Sequence, residues 1–251
     1  MAKKPKKMNS PKSQSHRAGN VIHPSFDDYD WHPLDEEINA GRDKSYIKTV
    51  RPRTDGQREL MESIQTHNLT MAIGPAGTGK TYLAICAAVE ALEKGSVEKI
   101  ILSRPAMEAG ESLGYLPGDM HEKMAPYLRP LYDALGDRMG GKKVRQYMDD
   151  GTIEIAPVGF MRGRTLNNAF IVIDEAQNCT YGQLKMLLSR LGWHSTMVVT
   201  GDPGQSDLLP GVSGLAEVAE KFVTLPNIAV VELGQTDIVR HPLVAEMLEV
   251  L

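Results

Sequence analysis

Cysteine is nearly missing from these 251 residues: there are two, Cys86 and Cys179, with neither a CxxC spacing nor a neighbouring histidine cluster. That excludes a disulfide framework and argues against a structural metal. It fits thiols that stay reduced in or near the core of a cytoplasmic protein. Long apolar runs are missing too. No stretch reaches the roughly 18 residues that a membrane-spanning helix needs, and the amino-terminal segment has charge without the apolar core of a secretory signal. Aromatics are sparse, and four Phe with two Trp form no evident platform for stacking the bases of a single strand. Acidic residues are absent from the first 26 positions, which hold six Lys and Arg. The remainder then carries 22 basic against 32 acidic side chains, a balance hidden inside the net charge of −4.

The basic segment is rich in Ser, Pro and Asn and poor in large apolar residues, so it cannot bury enough surface to offset the entropy of ordering. Residues 1–45, basic and then acidic, are expected to form a disordered tail, with Trp31 able to dock on the domain. The tail is either a weak electrostatic hold on nucleic acid or a solubilising terminus. From residue 46 to 251 the composition is that of one globular domain. Short apolar runs at 69–73, 99–103, 153–157, 170–174, 197–200 and 228–233 alternate with helical patterns at 56–66, 80–94, 121–135, 143–150, 181–191 and 214–222. Nearly all of the runs are continuous rather than strictly alternating, as in strands buried on both faces. No internal repeat is evident. The expected fold class is α/β: one doubly wound domain with a mainly parallel sheet and helices on both faces.

Three segments carry chemistry. "GPAGTGKT" fits the pattern G-x-x-x-x-G-K-[ST], with a strand before it and a helix after it. Gly74, Gly77 and Gly79 let the backbone turn its N–H groups onto phosphate oxygens, with Pro75, Ala76 and Thr78 completing the loop. Lys80 adds a full charge at the β- and γ-phosphates, and Thr81 offers a hydroxyl to Mg²⁺. The expected ligand is ATP with Mg²⁺. "AFIVIDEAQN" is an apolar strand that ends in two acids. Asp174 is assigned to the metal and Glu175 to the attacking water. "VVTGDPGQSDL" ends another strand, where Gln205 is placed to orient water or sense the phosphate, unless the segment is a plain Asp-Pro-Gly turn.

With these segments and "LSRPAMEAGESLGYLPGD", "PYLRPLYDAL", "IEIAPVGFMRGRTLNNAF" and "VRHPLV", the chain resembles the PhoH family from about Val50 to Leu251. The resemblance implies a RecA-like core akin to that of superfamily 1 helicases, ATP binding and hydrolysis, a homo-hexameric ring and a link to RNA. It also implies that Gln57, in "TDGQREL", reads adenine N6 and N7 with its amide, against the alternative of a solvated helix-end glutamine. The family usually has Thr where this chain has Gly204. The additional RNA-binding domain of longer relatives is expected to be missing here. Glu108 and Glu111 belong to the family pattern without a chemical account.

A single RecA-like unit raises a further expectation. The arginine that neutralises transition-state charge should come from a neighbouring subunit, and such a head-to-tail contact closes into a ring. The candidates are Arg104, Arg162, Arg164 and Arg240, with Arg164 and Arg240 put first. The leading function is a Mg²⁺-dependent ATPase acting on RNA or other single-stranded nucleic acid. The alternatives are a nucleotide-gated scaffold for a protein partner and a small-molecule P-loop kinase. The adjacent acids of Asp174-Glu175 argue against the kinase, which needs no water activator.

Overall fold

The computed structural model describes residues 50–105 and 120–239, with side chains from 127 onward in the second stretch. The expected tail, Trp31, Glu108, Glu111 and Arg240 lie outside the described residues.

Helix α1 (Asp55–Thr66) starts where Thr54 accepts the Gln57 N–H on its hydroxyl at 3.2 Å, a side-chain N-cap. Strand β1 (Leu69–Ile73) leads through the glycine-rich loop into α2 (Lys80–Glu93). Strand β2 (Lys99–Arg104), helices α3 (Met120–Met139) and α4 (Gly141–Asp149), and strands β3 (Ile153–Pro157) and β4 (Ala169–Ile173) follow. Helix α5 (Tyr181–Leu188) is closed by a capping box between Thr180 and Gln183. Strand β5 (Thr196–Gly201), helix α6 (Leu215–Phe222) and strand β6 (Ile228–Glu232) complete the described part.

The six strands form one sheet in the order β3-β2-β4-β5-β1-β6, and every pairing is parallel. This is the α/β architecture expected, RecA-like, with the interiors of the four inner strands β2, β4, β5 and β1 buried on both sides. Within β4, Phe170 and Val172 face the core shared by α1, α2, α3 and α4, and Ile171 and Ile173 face the core under α5 and α6. That alternation between two buried faces is why the strands read as unbroken apolar runs. Cys86 and Cys179 are buried and unpaired, and burial pushes their thiols up to about 11 and about 12.

Two helix ends depart from expectation by three residues or more. Helix α3 runs to Met139 rather than stopping at Leu135, past Gly136, because Leu135 and Met139 are both buried and packing outweighs the poor helix propensity of glycine. Helix α5 stops at Leu188 instead of Leu191. Arg190 and Leu191 tighten into i→i+3 turns, and Leu191 pairs with Leu166 in a parallel bridge.

Leu60 is fully buried and packs α1 onto the sheet. Leu60→Ala should cost about 2–5 kcal/mol of stability, read as a lower urea midpoint at unchanged slope.

Candidate active site

Strands β4, β5 and β1 lie side by side, with Ile173 level with Val199 and Ile73 level with Gly201. Their carboxyl ends therefore open on one edge of the sheet, the usual place for a ligand in such folds. Three segments meet there: the loop after β1, the acids after β4 and the turn after β5.

The loop needs its glycines. Gly74, Gly77 and Gly79 have φ of 142°, 85° and 84°. A Cβ on Gly74 would sit 2.1 Å from the Leu233 carbonyl oxygen, so no other residue fits. The Gly79 N-cap makes no side-chain cap bond, which leaves the first N–H groups of α2 directed at the cleft. Lys80 folds along the loop and donates from Nζ to the carbonyls of Gly74 (2.7 Å) and Pro75 (2.8 Å). Burial lowers its pKa, opposed by the charges of Asp202, Glu175 and Asp174. Thr78 is fully buried and spends its hydroxyl proton on the Pro75 carbonyl at 3.0 Å. It is part of the loop's frame. Ala76, Gly77, Gly79, Lys80 and Thr81 line a cavity of about 530 Å³, together with Asp174, Glu175 and Gln205.

Asp174 is buried, and its Oδ1 accepts two hydroxyl protons, from Thr81 at 2.6 Å and from Thr200 at 2.8 Å. Glu175 has a left-handed backbone, φ 52° and ψ 41°, a costly conformation for a side chain-bearing residue that clusters at functional sites. Its Oε2 accepts from Gln177 Nε2 at 2.5 Å, and Gln177 Oε1 in turn accepts the Asp202 N–H at 3.0 Å. Asn178 makes a second amide bridge, donating to Asp207 Oδ2 and accepting the Asp207 N–H, each at 2.9 Å. Gln177, Asn178 and Thr200 escaped the sequence reading. The signal for them was there: two carboxamides directly behind an acidic pair, and a hydroxyl at the end of an apolar strand.

Gln205 is exposed at the cavity's rim, its backbone N–H bonded to the Asp202 carbonyl at 3.0 Å. Gln57 is 5% exposed and lines a second cavity, of about 520 Å³, that shares Gly77, Gly79 and Tyr82 with the first. Its amide is half spent inside the protein. Nε2 donates to the Thr78 carbonyl at 3.0 Å and Oε1 accepts the Arg53 N–H at 2.9 Å. One N–H and one lone pair remain for a base.

The arginines separate. Arg164 is bound to Glu154 on the edge strand by two bonds, at 2.5 and 2.7 Å, and does not line the cleft. Arg162 is exposed. Arg104 stands in the cleft of its own chain, 3.5 Å from Asp174 Oδ2 and 3.3 Å from Glu175 Oε1. A guanidinium thus reaches these acids from within the same chain.

The donor set suits Mg²⁺. A Thr81 hydroxyl and an Asp174 carboxylate are hard oxygen ligands, and this ion takes few protein ligands beside phosphate and water. Among the described residues no group of three or more His, Cys, Asp or Glu is arranged for a metal.

The wall of the second cavity is held by Asp237. Its carboxylate bonds the Thr54 side chain, accepts the Gly234 N–H at 2.9 Å and accepts the Gly56 N–H, which together hold its pKa below the ordinary carboxylate range. It thereby ties the start of α1, and Gln57 with it, to the turn whose Val239 N–H bonds the Gly77 carbonyl at 2.9 Å. A lowered pKa contributes stability above the unfolded value, about 3.9, that is lost as pH falls through the folded one. Asp237→Ala should therefore lower the thermal midpoint at pH 7, and the gap from wild type should narrow below about pH 4. A gap of the same size at pH 7 and pH 3 would contradict this.

A family model described as PhoH-like protein matches residues 49–251. The PhoH-like protein of Bacillus subtilis (strain 168) is 56% identical over 203 residues, covering 80% of this chain and 64% of its own length. Protein PhoH of Escherichia coli (strain K12) is 42% identical over 211 residues, covering 83% of this chain and 60% of its own. The chain thus spans less than two thirds of these relatives. Among solved structures, the large terminase of a thermophilic bacteriophage aligns with a TM-score of 0.51 at 11% identity, over 79% of this chain and 50% of that one, a likeness of fold. With a P-loop in a RecA-like sheet and a family match across four fifths of its length, the chain belongs to the PhoH family.

Proposed function

We propose that the protein is a Mg²⁺-dependent ATPase that works as a homo-hexameric ring and couples ATP turnover to RNA or another single-stranded nucleic acid. The observation that carries the ATPase reading is the convergence of Lys80, Thr81, Asp174 and Glu175 on one cavity. The loop N–H groups bind the phosphates, and Lys80, already poised on the loop carbonyls, reaches the β- and γ-phosphates. Thr81 and Asp174 hold Mg²⁺, which when bound neutralises charge on the phosphates. Glu175, oriented by Gln177, accepts the proton of the attacking water. Gln57 and Tyr82 border the space for the base, and the spare amide positions of Gln57 favour adenine.

Two features support work on nucleic acid in a ring. The first 26 residues carry six basic and no acidic side chains, suited to a phosphate backbone. The single RecA-like unit exposes its cleft on one edge of the sheet, where a neighbour's surface can complete it. Arg240 stays a candidate to act across that contact. Arg164 would first have to give up Glu154.

Glu175→Gln should still bind Mg-ATP while losing turnover by about two to four orders of magnitude. Asp174→Asn should instead weaken Mg²⁺-dependent affinity, and Lys80→Ala should abolish turnover and weaken ATP binding. ATPase rates on a panel of RNAs and DNAs check the coupling. Stimulation by single strands is expected, and a rate indifferent to every nucleic acid would favour a nucleotide-gated scaffold.

A further inference from the structure

We propose that Arg104 is a catalytic arginine acting within its own subunit: it leaves the Asp174–Glu175 pair and contacts the terminal phosphate of a bound nucleoside triphosphate. The inference rests on the ATPase reading and deepens it. Arg104 ends β2, next to β4 in the sheet, and its side chain lines the same cavity as Lys80 and Thr81.

The geometry is that of a cation held loosely. Its contacts to the two acids are 3.5 and 3.3 Å, longer than the roughly 2.7–2.9 Å of a strong charge-assisted bond. Arg164, by contrast, grips Glu154 with both arms of its fork at 2.5 and 2.7 Å. Nor do the acids depend on Arg104. Asp174 Oδ1 keeps Thr81 and Thr200, and Glu175 Oε2 keeps Gln177. What Arg104 occupies is the other oxygen of each, Oδ2 and Oε1.

Those two oxygens are the ones the chemistry needs, one toward the metal and one toward the water. A guanidinium that stayed on both would block the reaction. Moved onto the triphosphate, it frees both acceptors and brings a planar fork of donors to phosphoryl oxygens, the geometry it matches best. In the hydrolysis it serves, a water oxygen bonds the terminal phosphorus as the bridge to the β-phosphate breaks. The water's proton passes to Glu175, and Arg104 neutralises charge on the phosphoryl oxygens.

The test uses the full chain as wild type, Arg104→Ala and Arg104→Lys, with Mg²⁺ present, and measures affinity for AMP-PNP and for ADP beside ATP turnover. Arg104→Ala should bind AMP-PNP about tenfold to a hundredfold more weakly, the scale of one or two lost charge-assisted bonds, with ADP affinity within about threefold of wild type. Turnover at saturating ATP should fall about a thousandfold, with partial rescue in Arg104→Lys. Mixing Arg104→Ala with Lys80→Ala protein should restore no activity, since both residues serve one cleft. An equal loss for both nucleotides, an unchanged affinity ratio, or recovered activity on mixing would overturn the proposal. If wild type bound both nucleotides without turning ATP over, the ATPase reading would fall and the affinity ratio would still decide the role of Arg104. If it bound neither, both would fall.

Discussion

The cleft depends on one buried carboxylate oxygen. Asp174 Oδ1 takes the hydroxyl protons of Thr81, at the start of α2, and Thr200, near the end of β5. Asp174 itself follows β4, and its backbone N–H is held by the Ser103 carbonyl on β2 at 2.8 Å. Four elements are thereby fixed against each other at a group 3% exposed. A buried charge is costly unless it is hydrogen-bonded, so the arrangement is worth keeping only where every partner stays in place. That requirement makes the strand ends a rigid frame for the cleft.

Around this anchor lie contacts that link the segments lining the cleft. Gln177 joins Glu175 to the Asp202 backbone, and Asn178 joins the same segment to Asp207. A shift in the turn after β5 would be felt at Glu175. The left-handed backbone of Glu175 belongs to the same design, since a strained residue persists only where its surroundings over-determine it. On the other side of the loop, Asp237 ties the start of α1 to the turn after β6, and Val239 ties that turn to Gly77. The second cavity and the glycine-rich loop share one scaffold.

Much of the fold and part of the site were legible in the sequence. Continuous apolar runs marked the inner strands because both of their faces are covered. The glycine pattern marked the loop because Gly74 lies against the Leu233 carbonyl and Gly77 and Gly79 need positive φ. What escaped depends on pairs distant in sequence. Arg104 meets Glu175 across 71 residues, and Asn178 meets Asp207 across 29. No local period records such meetings. Arg164 read as a free finger for a different reason: its partner Glu154, on β3, comes within reach only because the chain folds back in the connection after that strand. Helix ends slipped where packing, as at Met139, outweighed local propensity.

The central claim is that the loop after β1 and the acids after β4 together hold a triphosphate for hydrolysis. The most direct measurement is a crystal structure of the full chain with Mg²⁺, ADP and aluminium fluoride, a mimic of the phosphoryl group in flight. The predicted result has the phosphates on the N–H groups of residues 77–81, Lys80 Nζ moved from the Gly74 and Pro75 carbonyls onto the phosphates, and Glu175 beside the water opposite the leaving oxygen. A nucleotide bound elsewhere, or one bound in the loop with Lys80 still on those carbonyls and Glu175 turned away, would contradict it.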